Sequence, residues 1–350
     1  MRFPGTLVTQ DASSSLGAAF LPANGYHKRN NTNSSGEVRL RYGFIGLGNL
    51  GGHLAASLLR EGFDLTVHDL NQHAARDLIG QGARWAQSPK DLASVVDAVI
   101  TCLPSPAASN AVLTAQDGVL NGLRAGGVWI EMSTTDQHEI ERVAALAAAR
   151  GVSTLEAPVT GGVHKAATGE ITVLVGGDRA VYETHLPALE AMGGSIFYMG
   201  ELGKACVLKV ITNMLAFIHL VAAGEALMLA KRGGLDLAQT FAAIKASSGT
   251  SFVHETESQL ILNGSYNIGF TMDLACKDLG FAYRYGRELG VPLELAALTE
   301  QIFRRAQAQY GGGAWSTQVV KLLEDALQTD LRAPGFPALL ESVVPPRHEK

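Results

Sequence analysis

The chain is short of charge, of cysteine and of metal-binding spacings, and each shortage removes a class of function. Only 17% of its 350 residues are charged, the formal net charge is −5, and Lys and Arg form no stripe. Nothing there attracts a polyanion, so nucleic acid is not an expected partner. Cys102, Cys206 and Cys276 are far apart, odd in number and set in apolar runs. They argue against a disulfide framework and suit buried thiols in a reducing compartment, which makes the cytoplasm the expected location. No Cys-x-x-Cys or His-Glu-x-x-His spacing occurs, so no metal is expected. Residues 1–40 lack the apolar core of a secretory signal and are rich in Ser, Asn and Gly. They are expected to form a flexible extension; an organelle transit peptide fits Arg2, Lys28 and Arg29 but not Asp11.

One apolar stretch, 207–230, has the length of a membrane span, but it holds Lys209, Asn213, His219 and Glu225, each expensive in hydrocarbon. A long buried helix joining two domains is expected instead, and no membrane partner. What is present supports that reading. Hydrophobic residues make up 47% of the chain, enough for two packed cores. Short β-rich runs at 42–46, 64–69, 98–103, 128–132, 153–157, 171–175 and 195–198 alternate with helical segments such as 51–61 and 137–150. That alternation predicts an α/β fold, a Rossmann-type doubly wound parallel sheet over residues 41–202. Helical periodicity then takes over at 235–246, 273–289 and 292–308, predicting an all-helical C-terminal domain over 203–330. The tail, 331–350, carries four of the twelve prolines and is expected to stay flexible. The apolar content of the helical part favours a homodimer or homotetramer.

The sharpest local pattern is Gly46-Leu47-Gly48-Asn49-Leu50-Gly51, directly after the first expected strand and opening a helix. In that context Gly46 permits the tight turn, Gly48 lets backbone approach a pyrophosphate, and Gly51 lets helix and strand pack closely. Uncapped N–H groups and the positive end of the helix then face the phosphates. Asp69, ending the second strand, is placed to accept hydrogen bonds from ribose hydroxyls. It would repel a 2′-phosphate, and Leu70, Asn71 and Gln72 supply no arginine, so NAD is expected and NADP disfavoured. Capping of the next helix by Asp69 or Asn71 is the structural alternative.

Taken with three further blocks, this pattern resembles the β-hydroxyacid dehydrogenase family, over residues 42–324. The blocks are Glu156-Ala157-Pro158-Val159-Thr160-Gly161-Gly162, Lys209 with Asn213, and Lys277-Asp278-Leu279. On their own chemistry, Thr160, Gly161 and Gly162 offer a hydroxyl and two unhindered N–H groups to a carboxylate, or form a plain strand-to-loop turn. Lys209 and Asn213, four apart, share a helix face, where the lysine is either an acid/base group or a snorkelling side chain. Lys277 reads alone as a solvated helix lysine paired with Asp273 or Asp278. The resemblance implies that Lys209 and Asn213 are catalytic and that Thr160, Gly161 and Gly162 hold the substrate carboxylate. It implies also that Lys277 closes over cofactor and substrate, and that Leu103, Pro104 and Thr134 line the nicotinamide ribose.

Glu156 and Thr160 stand where the family has Asp and Ser, Ala205 replaces a glycine, and Ala108 replaces a polar contact. His164 and His254 are expected to be exposed polar residues in loops. The function implied is a dehydrogenase passing hydride between NAD and a small 3-hydroxy acid or semialdehyde. An imine or keto-acid reductase on the same scaffold and a non-enzymatic dinucleotide sensor or scaffold are the alternatives.

Overall fold

A computed structural model describes residues 40–340, so the expected N-terminal extension and the last ten residues of the tail lie outside it. Nine strands follow in order: β1 (Arg41–Ile45), β2 (Asp64–His68), β3 (Arg84–Trp85), β4 (Ala98–Thr101), β5 (Val128–Glu131), β6 (Ser153–Glu156), β7 (Val159–Thr160), β8 (Ile171–Gly177) and β9 (Gly193–Gly200). The first six are parallel in the order β3-β2-β1-β4-β5-β6. Strand order therefore reverses at β1, flanked by β2 and β4. A crevice opens at such a reversal, beyond the carboxyl ends of the strands.

The sheet is not parallel throughout, as the alternation had suggested. β6 and β7 both run antiparallel to β8, pairing Leu155 with Gly177 and Val159 with Val173 in one unbroken register. Pro158 splits them because it has no N–H to give, yet its carbonyl still accepts from Leu174 N at 2.9 Å. The chain reverses through the short helix Val163–Thr168, which ends on Gly169 at φ +75°. β9 then returns to a parallel pairing with β8.

Both faces of the sheet are covered. Leu54 and Leu58 of the helix Gly51–Arg60 pack with Phe44, Val67 and Ile100, while Leu92, Val99, Trp129 and Val143 fill the other side. The α/β part hands over to a 29-residue helix, Lys204–Arg232. Five more follow, at Leu237–Lys245, Phe252–Asn263, Met272–Leu289, Glu294–Tyr310 and Lys321–Leu327. Asp236, Ser251 and Thr271 cap the first three of these with their side-chain oxygens. Phe217, Phe303 and Met272 anchor the helical core.

Two expectations are corrected here. The long helix is apolar enough to cross a membrane by composition, but only 33% of its most apolar window is buried. Ile211, Leu215 and Leu229 are exposed, so the long helix is there as expected but is buried along only part of its surface. The tail is also packed rather than loose as far as Phe336. Buried Glu324 accepts from Leu331 N at 2.8 Å and Arg332 Nη1 at 3.0 Å. Arg332 also donates to the Ile261 carbonyl, Ala333 N to that of Leu262, and Phe336 meets Phe241 edge-on at 5.0 Å. A carboxylate buried in the last helix needs partners, and the tail supplies them.

Candidate active site

The loop after β1 is built around missing side chains. Gly46 has φ +96°, and a Cβ there would lie 2.3 Å from the Cys102 carbonyl oxygen. A Cβ on Gly51 would fall 1.9 Å from the Gly46 carbonyl oxygen, so helix and strand touch backbone to backbone. Gly48 differs, since its Cβ would meet nothing within 4 Å. It faces open space beside exposed Asn49, at the mouth of a helix whose N-cap residue, Leu50, offers no side chain to the first turn. Space, bare backbone and uncapped N–H groups together fit a pyrophosphate.

Asp69 braces this loop. Its Oδ2 accepts from Leu47 N and its Oδ1 from Asn71 N, both at 2.7 Å. A carboxylate oxygen has a second lone pair, so both retain capacity for ribose hydroxyls. Capping of the following turn falls to Asn71, which accepts from His73 N at 3.2 Å. Sequence reasoning stopped before Arg76, whose Nη2 lies 3.2 Å from His73 Nδ1 on the next turn.

Across the crevice, half-buried Leu103 donates its N–H to Ser133 Oγ at 2.7 Å, and Ser133 N donates to Glu131 Oε1 at 2.7 Å. Ser133 thus ties the Leu103-Pro104 turn to the segment that carries Thr134. Neither Ser133 nor Glu131 was picked out from the sequence, where each reads as an ordinary residue near the end of β5. Burial raises the pKa of the Glu131 carboxyl, against the hydrogen bonds that lower it.

Lys209 and Asn213 do share a face of the long helix, and a third residue completes them. Lys209 Nζ donates to Asn213 Oδ1 at 2.8 Å, and Asn213 Nδ2 donates to Asp278 Oδ2 at 2.6 Å. The carboxylate fixes the amide, because only its NH2 end can face Asp278. Asp278 is fully buried, and its other oxygen lies 2.7 Å from Lys277 Nζ. Lys209 does not snorkel: it is 7% exposed, and burial lowers its pKa to about 8, with Asp278 raising it and Lys277 lowering it. The helix start is itself held by Glu156, whose two oxygens accept from Ala205 N at 2.9 Å and Cys206 N at 3.0 Å. Burial raises the pKa of Glu156.

Lys277 is not the solvated helix lysine its spacing suggested. Besides Asp278 it reaches the Thr134 carbonyl at 2.9 Å, beside the Ser133 turn. The same helix face continues the contact: Arg284 pairs with Asp136 at 3.6 Å, Tyr285 Oη accepts from Gln137 N at 2.8 Å, and Glu288 meets His138 at 3.1 Å. Thr160 ends β7, which packs against the long helix. Gly161 and Gly162 follow at φ +124° and +90°, backbone conformations that residues with a side chain rarely adopt. His164 is half-buried there, whereas His254 is fully buried and bonded to the Phe241 carbonyl at 3.0 Å, not exposed as expected.

Comparison with known proteins agrees with this geometry. A family model described as the NAD binding domain of 6-phosphogluconate dehydrogenase matches residues 41–200. A second, described as NAD-binding of NADP-dependent 3-hydroxyisobutyrate dehydrogenase, matches residues 203–323. The chain is 33% identical to 2-(hydroxymethyl)glutarate dehydrogenase of Eubacterium barkeri over 289 residues, 82% of this chain and 96% of that one. A crystal structure of 3-hydroxyisobutyrate dehydrogenase from Salmonella typhimurium superposes with a TM-score of 0.76 at 32% identity, covering 81% and 99% of the two chains. A structure of Psf3 in complex with NADP+ and 2-OPP gives the same TM-score at 28% identity, again over 81% and 99%.

Proposed function

The chain belongs to the β-hydroxyacid dehydrogenase family, and from that premise we propose that it moves hydride between NAD and a small 3-hydroxy acid or semialdehyde. It binds a nicotinamide dinucleotide and acts on hydroxyl groups as an oxidoreductase. Two of the relatives are named for 3-hydroxyisobutyrate and 2-(hydroxymethyl)glutarate, which share a hydroxymethyl group β to a carboxylate and differ in the side group. When bound, the nicotinamide supplies or accepts the hydride. Gly46, Leu47, Gly48, Asn49, Leu50 and Gly51 would hold its pyrophosphate, Asp69 its adenine ribose, and Leu103, Pro104, Thr134 and Lys277 the nicotinamide end. Asp69 supports NAD over NADP, since a carboxylate with both oxygens already oriented would meet a 2′-phosphate with like charge.

The observation that carries the proposal is the buried chain Lys209–Asn213–Asp278. Lys209 spends one Nζ position on Asn213 and has two more for the substrate oxygen. Its lowered pKa lets it give a proton to a carbonyl oxygen as hydride arrives, or take one from the alcohol in reverse. Thr160, Gly161 and Gly162 hold the carboxylate at the other end. Lys209→Ala is expected to cut turnover by orders of magnitude while NADH still binds, measured by steady-state rates and fluorescence titration. Near-normal turnover of 3-hydroxy acids by that variant, or turnover only of cyclic imines by the native protein, sinks the reading. We propose further that copies of the chain pair through the helical part, supported by exposed Ile211, Leu215 and Leu229 on one apolar helix; light scattering of a monomer in solution counts against it.

A further inference from the structure

Two side chains fold back over the Gly161-Gly162 corner. A Cβ on Gly161 would lie 3.2 Å from Lys165 Cδ, and one on Gly162 would lie 3.0 Å from His164 Cε1. The helical part adds a third group. Phe252, at the start of the helix Phe252–Asn263 and half exposed, stacks on the His164 ring at 6.2 Å and 17°. It also lies 5.2 Å below the Lys165 ammonium. The corner expected to grip a carboxylate is therefore walled by a lysine, an imidazole and an aromatic ring.

Within that wall the charge is unevenly satisfied. Among the described residues no carboxylate lies within ion-pair distance of half-buried Lys165, whose charge rests only on a ring face. A partly exposed ammonium on phenylalanine is held weakly and keeps its three donors. Burial lowers the pKa of His164, helped by Lys165 and opposed by Glu170, which favours the neutral imidazole. A substrate with an aliphatic side group would exclude water from Lys165 without pairing it, which is unfavourable; a second anion would pair it.

We propose that Lys165, backed by Phe252, binds a second anionic group on the substrate, making a dicarboxylic 3-hydroxy acid the preferred class. The inference rests on the reading above that Thr160, Gly161 and Gly162 hold the first carboxylate. Lys165 sets specificity and takes no part in proton or hydride transfer.

The test compares three acids with one hydroxymethyl carbon and one α-carboxylate: 3-hydroxyisobutyrate, 2-(hydroxymethyl)pentanoate and 2-(hydroxymethyl)glutarate. The second controls for the length of the third. The native protein should favour the glutarate over the pentanoate in kcat/KM by roughly tenfold or more, the scale of one charged hydrogen bond. K165Q should erase that preference by lowering kcat/KM for the glutarate relative to the pentanoate and leave the KM for the dinucleotide unchanged, while K165R should keep the preference. No preference in the native protein, a preference that survives K165Q, or a raised KM for the dinucleotide in K165Q overturns the proposal. Turnover of none of the three acids instead overturns the proposed function itself.

Discussion

At the scale of single residues, the proposed site depends on a lysine largely withdrawn from water. Because Lys209 titrates near pH 8, kcat/KM for alcohol oxidation, which needs the neutral amine, should rise through about pH 8 and level off above it. Carbonyl reduction needs the ammonium and should be flat below that point and fall above it. Asp278 raises the Lys209 pKa, so D278N should move both profiles to lower pH. Profiles that do not move in this positioning-residue variant would show that the carboxylate acts only structurally. Lys209 and Asn213 were legible in the sequence because a four-residue spacing fixes their common face. Asp278 was visible only as a neighbour of Lys277. Its bond to Asn213 spans 65 residues, and no local periodicity reports a contact of that range.

Among the elements, β1, the glycine turn and the following helix were readable because each glycine does a separate job that the pattern encodes. Two substitutions separate those jobs. Gly51→Ala drives a methyl into the Gly46 carbonyl and should lower stability by about 1–3 kcal/mol, read as a fall in Tm. Gly48→Ala meets no protein atom, so Tm should stay within about 0.5 kcal/mol equivalent of the native protein while dinucleotide affinity drops. Equal affinity in Gly48→Ala would remove the pyrophosphate from this loop. β3 and β7 escaped notice because two residues cannot show an alternation. The tail escaped for another reason: its prolines spoke for disorder, and the buried partner that orders it, Glu324, lies in the preceding helix. Removing residues 331–350 should therefore lower Tm, an effect that a loose tail would not produce.

For the whole molecule, the face of Met272–Leu289 that carries Lys277, Arg284, Tyr285 and Glu288 ties the helical part to the segment around Thr134 and Gln137. Ligand that docks against this joint should stabilise the entire chain. NAD+ at a hundred times its Kd is expected to add about 2.7 kcal/mol, and NADP+ at the same concentration less; an equal or larger thermal shift with NADP+ would reverse the assigned preference. The strand broken at Pro158 bears on the molecule in another way. Glu156, at one end of the five residues 156–160, clamps the helix that presents Lys209, and Thr160, at the other, begins the corner for the carboxylate. Both are pinned to β8 in one register. The segment spans about 13 Å at extended-strand spacing, with the start of the Lys209 helix tied to one end and the Gly161-Gly162 corner leaving from the other. Because both ends belong to one strand register and not to a loop, the spacing between the Lys209 helix and the proposed carboxylate corner is set by the sheet.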